Sequence, residues 1–328
     1  MKAIKFFAIS AMAAAMITSC SSEDELSQSN YPSDNIVRVT AGVNNAKTRA
    51  EGQGVTAMDK PFSLTIVNKN APKYTYTDKV FSKTSGDWAC SETLLWQKSD
   101  ALVDIVAFAP AQTGKFNGVY ANGSIQPIAY SVAKDQTTAD DKNDLLYYYA
   151  KDFNPGESLD KGKLKIQFNH AFCMIDINVT LGTEFNKPEV LKESPIVKVT
   201  LGGTKIAASV DVTNAASVVT ISETDAATDI TTTKGSFDKA ADPEANAKSH
   251  FSCIAIPQTV GANTFKVSLM TAGKRYEWTS DKEITLQSGY RYTLNLSMGN
   301  DVVLLKGGSI SASPWTEGDT GDKPLETD

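Results

Sequence analysis

The sequence predicts an all-β protein built from β-sandwiches, and three observations support this. Short runs alternate apolar and polar side chains with a period of two, as residues 36–43 do through Val37, Val39 and Val43. Clusters of Gly, Pro, Asn and Asp separate these runs, and long amphipathic helical patterns are scarce. Strands at this spacing favour sandwiches over βαβ units.

The strand-like runs fall into two series along the chain. Residues 144–150 fit a helical turn or a strand, and periodicity does not decide between them in so short a run. Residues 222–248 are rich in Thr, Asp and Ala and predict a long loop with room for a short helix. The first series comprises residues 62–67, 74–81, 94–96, 102–109, 125–132 and 164–179; the second comprises residues 196–199, 206–212, 218–221, 251–256, 264–270, 276–279, 284–286 and 290–297.

The two series predict two β-sandwich domains in tandem. The strand pattern stops near residues 181–188 and restarts at Ile196. About 300 residues beyond an N-terminal signal are enough for two domains of ordinary size. We therefore predict an N-terminal sandwich over residues 50–185 and a C-terminal sandwich over residues 186–328.

Residues 1–20 have the features of a lipoprotein signal peptide. Lys2 and Lys5 precede an apolar run, residues 6–17, that is too short to cross a bilayer. Small residues lead to Cys20, which we predict carries a lipid anchor; ordinary secretory cleavage nearby, with Cys20 incidental, is the alternative. Residues 21–49 are predicted to contain a tether and the first strand.

The composition and motifs argue against several classes of function. The net charge is −6 and no basic stripe is present, so nucleic acid is not an expected partner. The two histidines, His170 and His250, belong to no metal or catalytic motif, and we predict no enzyme activity, no metal and no cofactor. A glycosidase-like carboxylate pair is the enzymatic alternative, because the two groups need only meet in the fold.

Cysteines and aromatic residues point to a packed interior. Three cysteines follow Cys20, and an odd number at wide spacing is not a disulfide framework. Cys173 and Cys253 lie in apolar strand-like runs, which predicts buried thiols. The aromatic residues are predicted to fill the core, with an exposed sugar-binding platform as the alternative. They include Trp88, Trp96, Tyr147, Tyr148, Tyr149 and Trp278.

Several segments, taken in order, resemble the fimbrillins, which are two-domain, transthyretin-like β-sandwich subunits of type V pili in Gram-negative anaerobes. Each segment alone is a weak signal, but their order and spacing are more specific. Met174 stands where the family usually has lysine. The matching segments are residues 95–96, 103–110, 144–146, 164–175, 254–258, 286–294 and 314–315.

The resemblance implies a maturation step at Arg49 and Ala50. Fimbrillin precursors are cut after an arginine in a loop that follows the first strand, and residues 47–50 fit that position. Loss of residues 36–43 would expose a strand edge and an apolar groove that a strand of another subunit could fill. The donor would be the tail, residues 302–315; the alternative is that the tail completes its own domain.

The resemblance therefore implies a structural and adhesive pilus subunit at the cell surface, exported as a lipoprotein held in the outer membrane. Its implied partners are other fimbrillin subunits, the outer membrane through the precursor's lipid, and a host or bacterial surface ligand. The alternative function is a monomeric outer-membrane surface lipoprotein that keeps its first strand and binds a glycan or a host protein.

Overall fold

A computed structural model describes residues 30–44, 58, 60–300, 302–305 and 310–315. Strands dominate this part of the chain, so the all-β prediction is confirmed. The division into two sandwich domains stays a prediction. Cys20, Arg49 and Ala50 lie outside the described residues.

The strands are β1 Val39–Val43, β2 Phe62–Val67, β3 Tyr76–Thr84, β4 Asp87–Cys90, β5 Val103–Ala109, β6 Tyr120–Ala121, β7 Ser124–Ile125, β8 Ile128–Ser131, β9 Leu146–Phe153, β10 Leu164–His170, β11 Cys173–Leu181 and β12 Ile196–Gly202. They continue as β13 Ala207–Val210, β14 Val219–Ile221, β15 Ile230–Thr231, β16 Thr233–Asp238, β17 Lys248–Ala255, β18 Thr259–Val260, β19 Lys266–Thr271, β20 Arg275–Thr279, β21 Ile284–Thr285, β22 Tyr290–Met298, β23 Val303–Leu305 and β24 Ser311–Pro314. The described helices are α1 Pro155–Ser158 and the 3₁₀ turns Pro72–Tyr74, Asn117–Val119, Asp141–Asn143 and Thr183–Asn186.

The first half of the chain forms a seven-stranded sheet in the order β1-β10-β9-β5-β2-β3-β4. Its central strands β2 and β5 are buried along their whole length, including the polar residues Ser63, Thr65 and Asp104. β1 lies at one edge and pairs in parallel with β10. We call the apolar cluster on this sheet the first core; Phe62, Ile105 and Phe168 belong to it.

Three further sheets surround a second core, and they are built mostly from the second half of the chain together with β8 of the first half. One runs β16-β17-β11-β22-β23, with β24 also paired to β22; another runs β15-β12-β19-β20; the third runs β14-β13-β8. In β11 every second residue is buried, as the period of two predicts for a sheet with one face on the core. The second core includes Ile175, Leu201 and Leu294.

Several predicted elements take a different form in the structure. Residues 144–150, left open between helix and strand, enter β9, because this segment pairs with both β5 and β10. Residues 164–179 form two strands, with the buried Ala171 and Phe172 between them. The predicted loop 222–248 contains β15 and β16, and β16 pairs with β17 despite its polar composition.

β10 and β11 follow one another in the sequence but belong to different sheets, and β11 pairs with strands of the second half. β11 pairs antiparallel with β17 and parallel with β22, whereas β10 pairs with β1 and β9. The strand pairing therefore switches between His170 and Cys173, ahead of the boundary predicted after residue 185.

Cysteines and aromatic side chains pack as predicted. Cys173 and Cys253 are buried free thiols, and burial raises the pKa of both. The Trp96 side chain is buried and stacks on Phe153 with ring centroids 6.1 Å apart. Trp88 packs partly buried against the first core.

Candidate assembly interface

Residues 35–44, here called the leader segment, run between two other parts of the first half. At its start the segment meets the chain that follows β4. The Val37 amide donates to the Leu94 carbonyl at 2.9 Å, and the Trp96 amide donates to the Asn35 carbonyl at 2.8 Å. These bonds hold the entry of the leader segment from one side.

The other side of the leader segment is β10. Val39 lies opposite Leu164, and the parallel register continues to Val43 opposite Phe168. The pairing continues past the strand, since the Asn44 amide donates to the Phe168 carbonyl at 2.6 Å. Asn44 Nδ2 also donates to Asn169 Oδ1 at 3.0 Å.

The leader segment is part of the first core. Val37 is 6% exposed and Val39 is 4% exposed, while the neighbouring Arg38 and Thr40 face solvent. Burial of each valine contributes about 1.5–3 kcal/mol. Loss of the segment would uncover one flank of β10, whose Leu164, Ile166 and Phe168 are fully buried in this structure.

A surface ion pair fixes the chain where it enters the leader segment. Arg38 donates from Nη1 and Nη2 to the Asp34 carboxylate at 2.9 and 2.5 Å. The Ile36 amide donates to the same carboxylate at 3.1 Å. The hydrogen bonds from Arg38, then the one from Ile36, lower the pKa of Asp34 to about 2.

The predicted cleavage position follows the leader segment directly. Arg49 and Ala50 lie in residues 45–57, which the structure does not describe. Asn44, the last described residue before them, lies beside Asn169 near the end of β10. Maturation at Arg49 stays a prediction.

The described parts of the tail, residues 302–305 and 310–315 of the range 302–315, lie on their own subunit. β22 pairs in parallel with β11 on one side. On the other side β23 pairs antiparallel with its C-terminal part and β24 with its N-terminal part. In this structure the tail therefore completes its own sheet, which is the alternative that the sequence analysis left open.

The tail ends on a contact with the first half of the chain. The ring centroids of Trp315 and His170 are 3.9 Å apart with an interplanar angle of 16°, so the two rings stack. His170 Nδ1 lies 3.0 and 3.1 Å from the two carboxylate oxygens of Asp144. The Trp315 amide donates to the Gly289 carbonyl at 2.6 Å.

Sequence reasoning assigned His170 a structural role but gave it no partner. The two rings are far apart in the sequence, and neither residue belongs to a motif that specifies the other. The only signal was that Trp315 is the last aromatic residue and is followed by a mostly polar end.

The surface also carries a cleft of about 890 Å³. β14 and β18 border it, and Tyr147, Lys205 and Gln287 are among its lining residues. Within the described ranges no cluster of three or more His, Cys, Asp or Glu side chains is arranged to hold a metal ion. In the same part of the chain, no helix has the length and apolar character to cross a membrane.

The fold and this interface define an all-β protein whose first strand lies at a sheet edge and whose last strands close a second sheet. A family model described as fimbrillin-like matches residues 48–315, and the chain belongs to that family. The family consists of structural fimbrial subunits rather than enzymes. Membership implies a place in a fimbrium at the cell surface, in association with other fimbrial subunits.

Solved structures share the fold at low sequence identity. A candidate cell adhesion protein of Bacteroides ovatus is 16% identical, with a TM-score of 0.61 over 87% of this chain and 99% of that one. A fimbrial protein of Bacteroides vulgatus is 15% identical, with a TM-score of 0.54 over 86% and 99%. Among curated proteins none matches the chain.

Proposed function

We propose that this fimbrial subunit is exported as a lipoprotein anchored through Cys20 and matures by cleavage between Arg49 and Ala50. Cleavage removes the leader segment, and a strand of another fimbrillin subunit then pairs with β10 in its place. The outer membrane holds the precursor, and the matured chain is incorporated into the fimbrium. A subunit at the fimbrial tip would in addition meet a host or bacterial surface ligand.

The observation that carries this proposal is the position of the leader segment. It is an edge element that contributes Val37 and Val39 to the first core, and the predicted cut follows it directly. Its removal would leave unpaired backbone groups on β10, where the Leu164 amide now donates to the Arg38 carbonyl at 2.7 Å. Such an edge beside an apolar groove is a template for strand addition.

Covalent linkage explains why the cut would act as a trigger. While the chain is intact, the leader segment rebinds at a high effective concentration, because it remains covalently attached to its own subunit. After the cut it is a separate peptide held by the parallel pairing with β10, by hydrogen bonds to residues 94–96 and by a few buried side chains. Parallel pairing is slightly less stable per residue than antiparallel pairing, which favours replacement by a strand that can pair antiparallel.

The tail is the donor that fits this scheme. It ends in two short strands, β23 and β24, and both must leave β22 before they can reach a neighbouring subunit. A subunit whose tail stays on β22 accepts a strand without donating one and ends the polymer. The closed tail seen here corresponds to the state before donation.

Arg49→Lys tests the cleavage step, because lysine keeps the charge and removes the arginine that an arginine-specific protease needs. On native cells, intact mass and N-terminal sequencing should show the wild-type chain beginning at Ala50 and the variant retaining its leader segment. Lys47→Ala, in the same segment, is the matched control and should mature normally. A variant that polymerises with its leader segment still attached would contradict the proposal.

The second candidate is a monomeric surface lipoprotein that binds a glycan or a host protein. The closed tail and the cleft lined by Tyr147, Lys205 and Gln287 favour it. Under this reading, the surface-extracted chain begins at acylated Cys20 and stays monomeric. Arg49→Lys would then leave both the N-terminus and the oligomeric state unchanged.

A further inference from the structure

We propose that the stack of Trp315 on His170 is an autoinhibitory latch that keeps the tail on its own subunit, and that the leader segment reinforces this latch. The inference rests on the proposed function for its biological role, since it assumes that the tail is the strand to be donated. The contact itself is a property of the single chain.

The latch has a rigid seat, which is the imidazole ring of His170. His170 ends β10, and its Nδ1 lies 3.0 Å from Asp144 Oδ1. The next residue is also fixed, because the Ala171 amide donates to the Leu145 carbonyl at 2.8 Å. The His170 side chain is only 7% exposed, so its ring is held in one place when Trp315 packs against it.

The tail meets this seat through a second bonded contact. The Trp315 amide donates to the Gly289 carbonyl, and the Gly289 amide donates to the Phe172 carbonyl at 2.9 Å. Phe172 lies in the short connection that leaves β10 two residues after His170. Trp315 thus contacts His170 directly and is connected through Gly289 to Phe172. These two residues flank Ala171, where the chain passes from the first core to the second.

The leader segment bonds to the same end of β10. The Asn44 amide donates to the Phe168 carbonyl, and Asn44 Nδ2 donates to Asn169 Oδ1. Asn169 directly precedes His170, and its side chain points to the opposite face of the strand. Removal of the leader segment takes these bonds from the two residues before the seat, and the end of β10 then holds His170 less firmly.

The arrangement gives the order of events in assembly. With Trp315 seated, β24 stays paired with β22 and cannot extend toward another subunit. Loss of the leader segment opens the acceptor edge and loosens the latch in a single step. An uncut subunit neither accepts nor donates a strand, which prevents polymerisation before the chain reaches the surface.

Hydrogen exchange of residues 311–315, followed by mass spectrometry, tests the coupling in the full chain. A specific protease site introduced at residues 47–50 allows the leader segment to be cut, and its dissociation from the subunit is verified by native mass spectrometry. Measurements are made at a concentration where the protein is monomeric. Since one hydrogen bond changes an opening equilibrium about fivefold, exchange in the tail should rise about fivefold or more after the cut.

The variants separate a latch from an ordinary packing contact. In uncut Trp315→Ala the tail should already exchange as fast as in the cut wild type, and cutting should add less than about twofold. Trp315→Phe keeps an aromatic ring on His170 and should restore slow exchange and the response to cutting. Leu304→Ala shortens an exposed side chain of the same tail and should behave as wild type. Unchanged exchange in β2 and β5 confirms that each variant is folded.

Equal tail exchange before and after cutting would overturn the latch, and so would a response to cutting that persists in Trp315→Ala. Assembly is read separately, by size-exclusion chromatography at high concentration. If polymers form but cutting does not change tail exchange, the proposed function stands and the latch is wrong. If cutting speeds tail exchange but no polymers form, the latch stands and the proposed function is wrong.

Discussion

The indole ring of Trp315 stacks on the imidazole ring of His170 at 3.9 Å, joining the end of the described chain to the end of β10. The leader segment pairs along the same strand, from Val39 opposite Leu164 to Val43 opposite Phe168. Both ends of the described chain therefore meet on β10. In a subunit that exchanges strands, this places the acceptor edge and the restraint on the donor tail on one element.

Trp315→Ala should lower the free energy of unfolding by about 3 kcal/mol, because it removes a large buried side chain and leaves its space beside His170 unfilled. Denaturant titration checks this value. Leu304→Ala, on the same tail but 58% exposed, should change stability by less than about 0.5 kcal/mol. Equal effects of the two substitutions would show that Trp315 is not packed as described.

Val39→Ala should weaken the attachment of the leader segment by about 1.5 kcal/mol, since it removes two methyl groups from the first core. Thr40→Ala is the matched control, because Thr40 is the next residue on β1 and is exposed. Hydrogen exchange of residues 37–44 reports on both variants. Faster exchange in Val39→Ala alone is the expected outcome, and similar rates in both would contradict the placement of Val39 in the core.

The carboxyl of Asp34 should titrate well below an ordinary aspartate. Its pKa in the folded protein is about 2, against a usual value of 3.8, so its contacts stabilise the leader segment fully above pH 3.8. That stabilisation is lost as the pH falls through about 2, when the folded carboxylate becomes protonated. Carbon-detected NMR of the carboxyl group measures the titration directly.

Arg38→Ala is the control for this titration, because Arg38 is the main cause of the shift. The pKa of Asp34 should move back toward 3.8 in the variant, with the remaining shift coming from the Ile36 amide. A value that does not change would assign the shift to the backbone instead of the ion pair.

Native thiol labelling should distinguish the three cysteines beyond Cys20. Cys173 and Cys253 are buried, and burial raises the pKa of both thiols, so iodoacetamide should leave them unmodified in the folded protein. Cys90 is half-buried and should react slowly. Mass spectrometry of a chain that starts at residue 21 should show one added group when native and three when denatured.

Cys90→Ser should then show no native modification and two groups after denaturation. Labelling of Cys173 or Cys253 in the native variant would mean that β11 and β17 open readily. That result would contradict the close packing of these strands in the second core.

Individual strands were predictable because the period of two is a local property. β2 was predicted with both of its ends correct, and the buried thiols of Cys173 and Cys253 followed from their apolar surroundings. The sequence left β9 open between helix and strand, because the segment is a short aromatic run. It missed β16, because that strand is polar. Pairing with neighbouring strands stabilises both, and a sequence window contains no information about those neighbours.

The sequence by itself determined that this chain forms an all-β protein and belongs among the fimbrillins. Strand periodicity, turn residues and the order of the motifs are all properties of the linear sequence. Tertiary structure alone decided that β1 pairs in parallel with β10, that β11 joins the second half, and that the tail closes β22 and ends on His170. The physical reason is that alternation tells which face of a strand is buried, whereas the neighbour of a strand is set by contacts between residues distant in sequence.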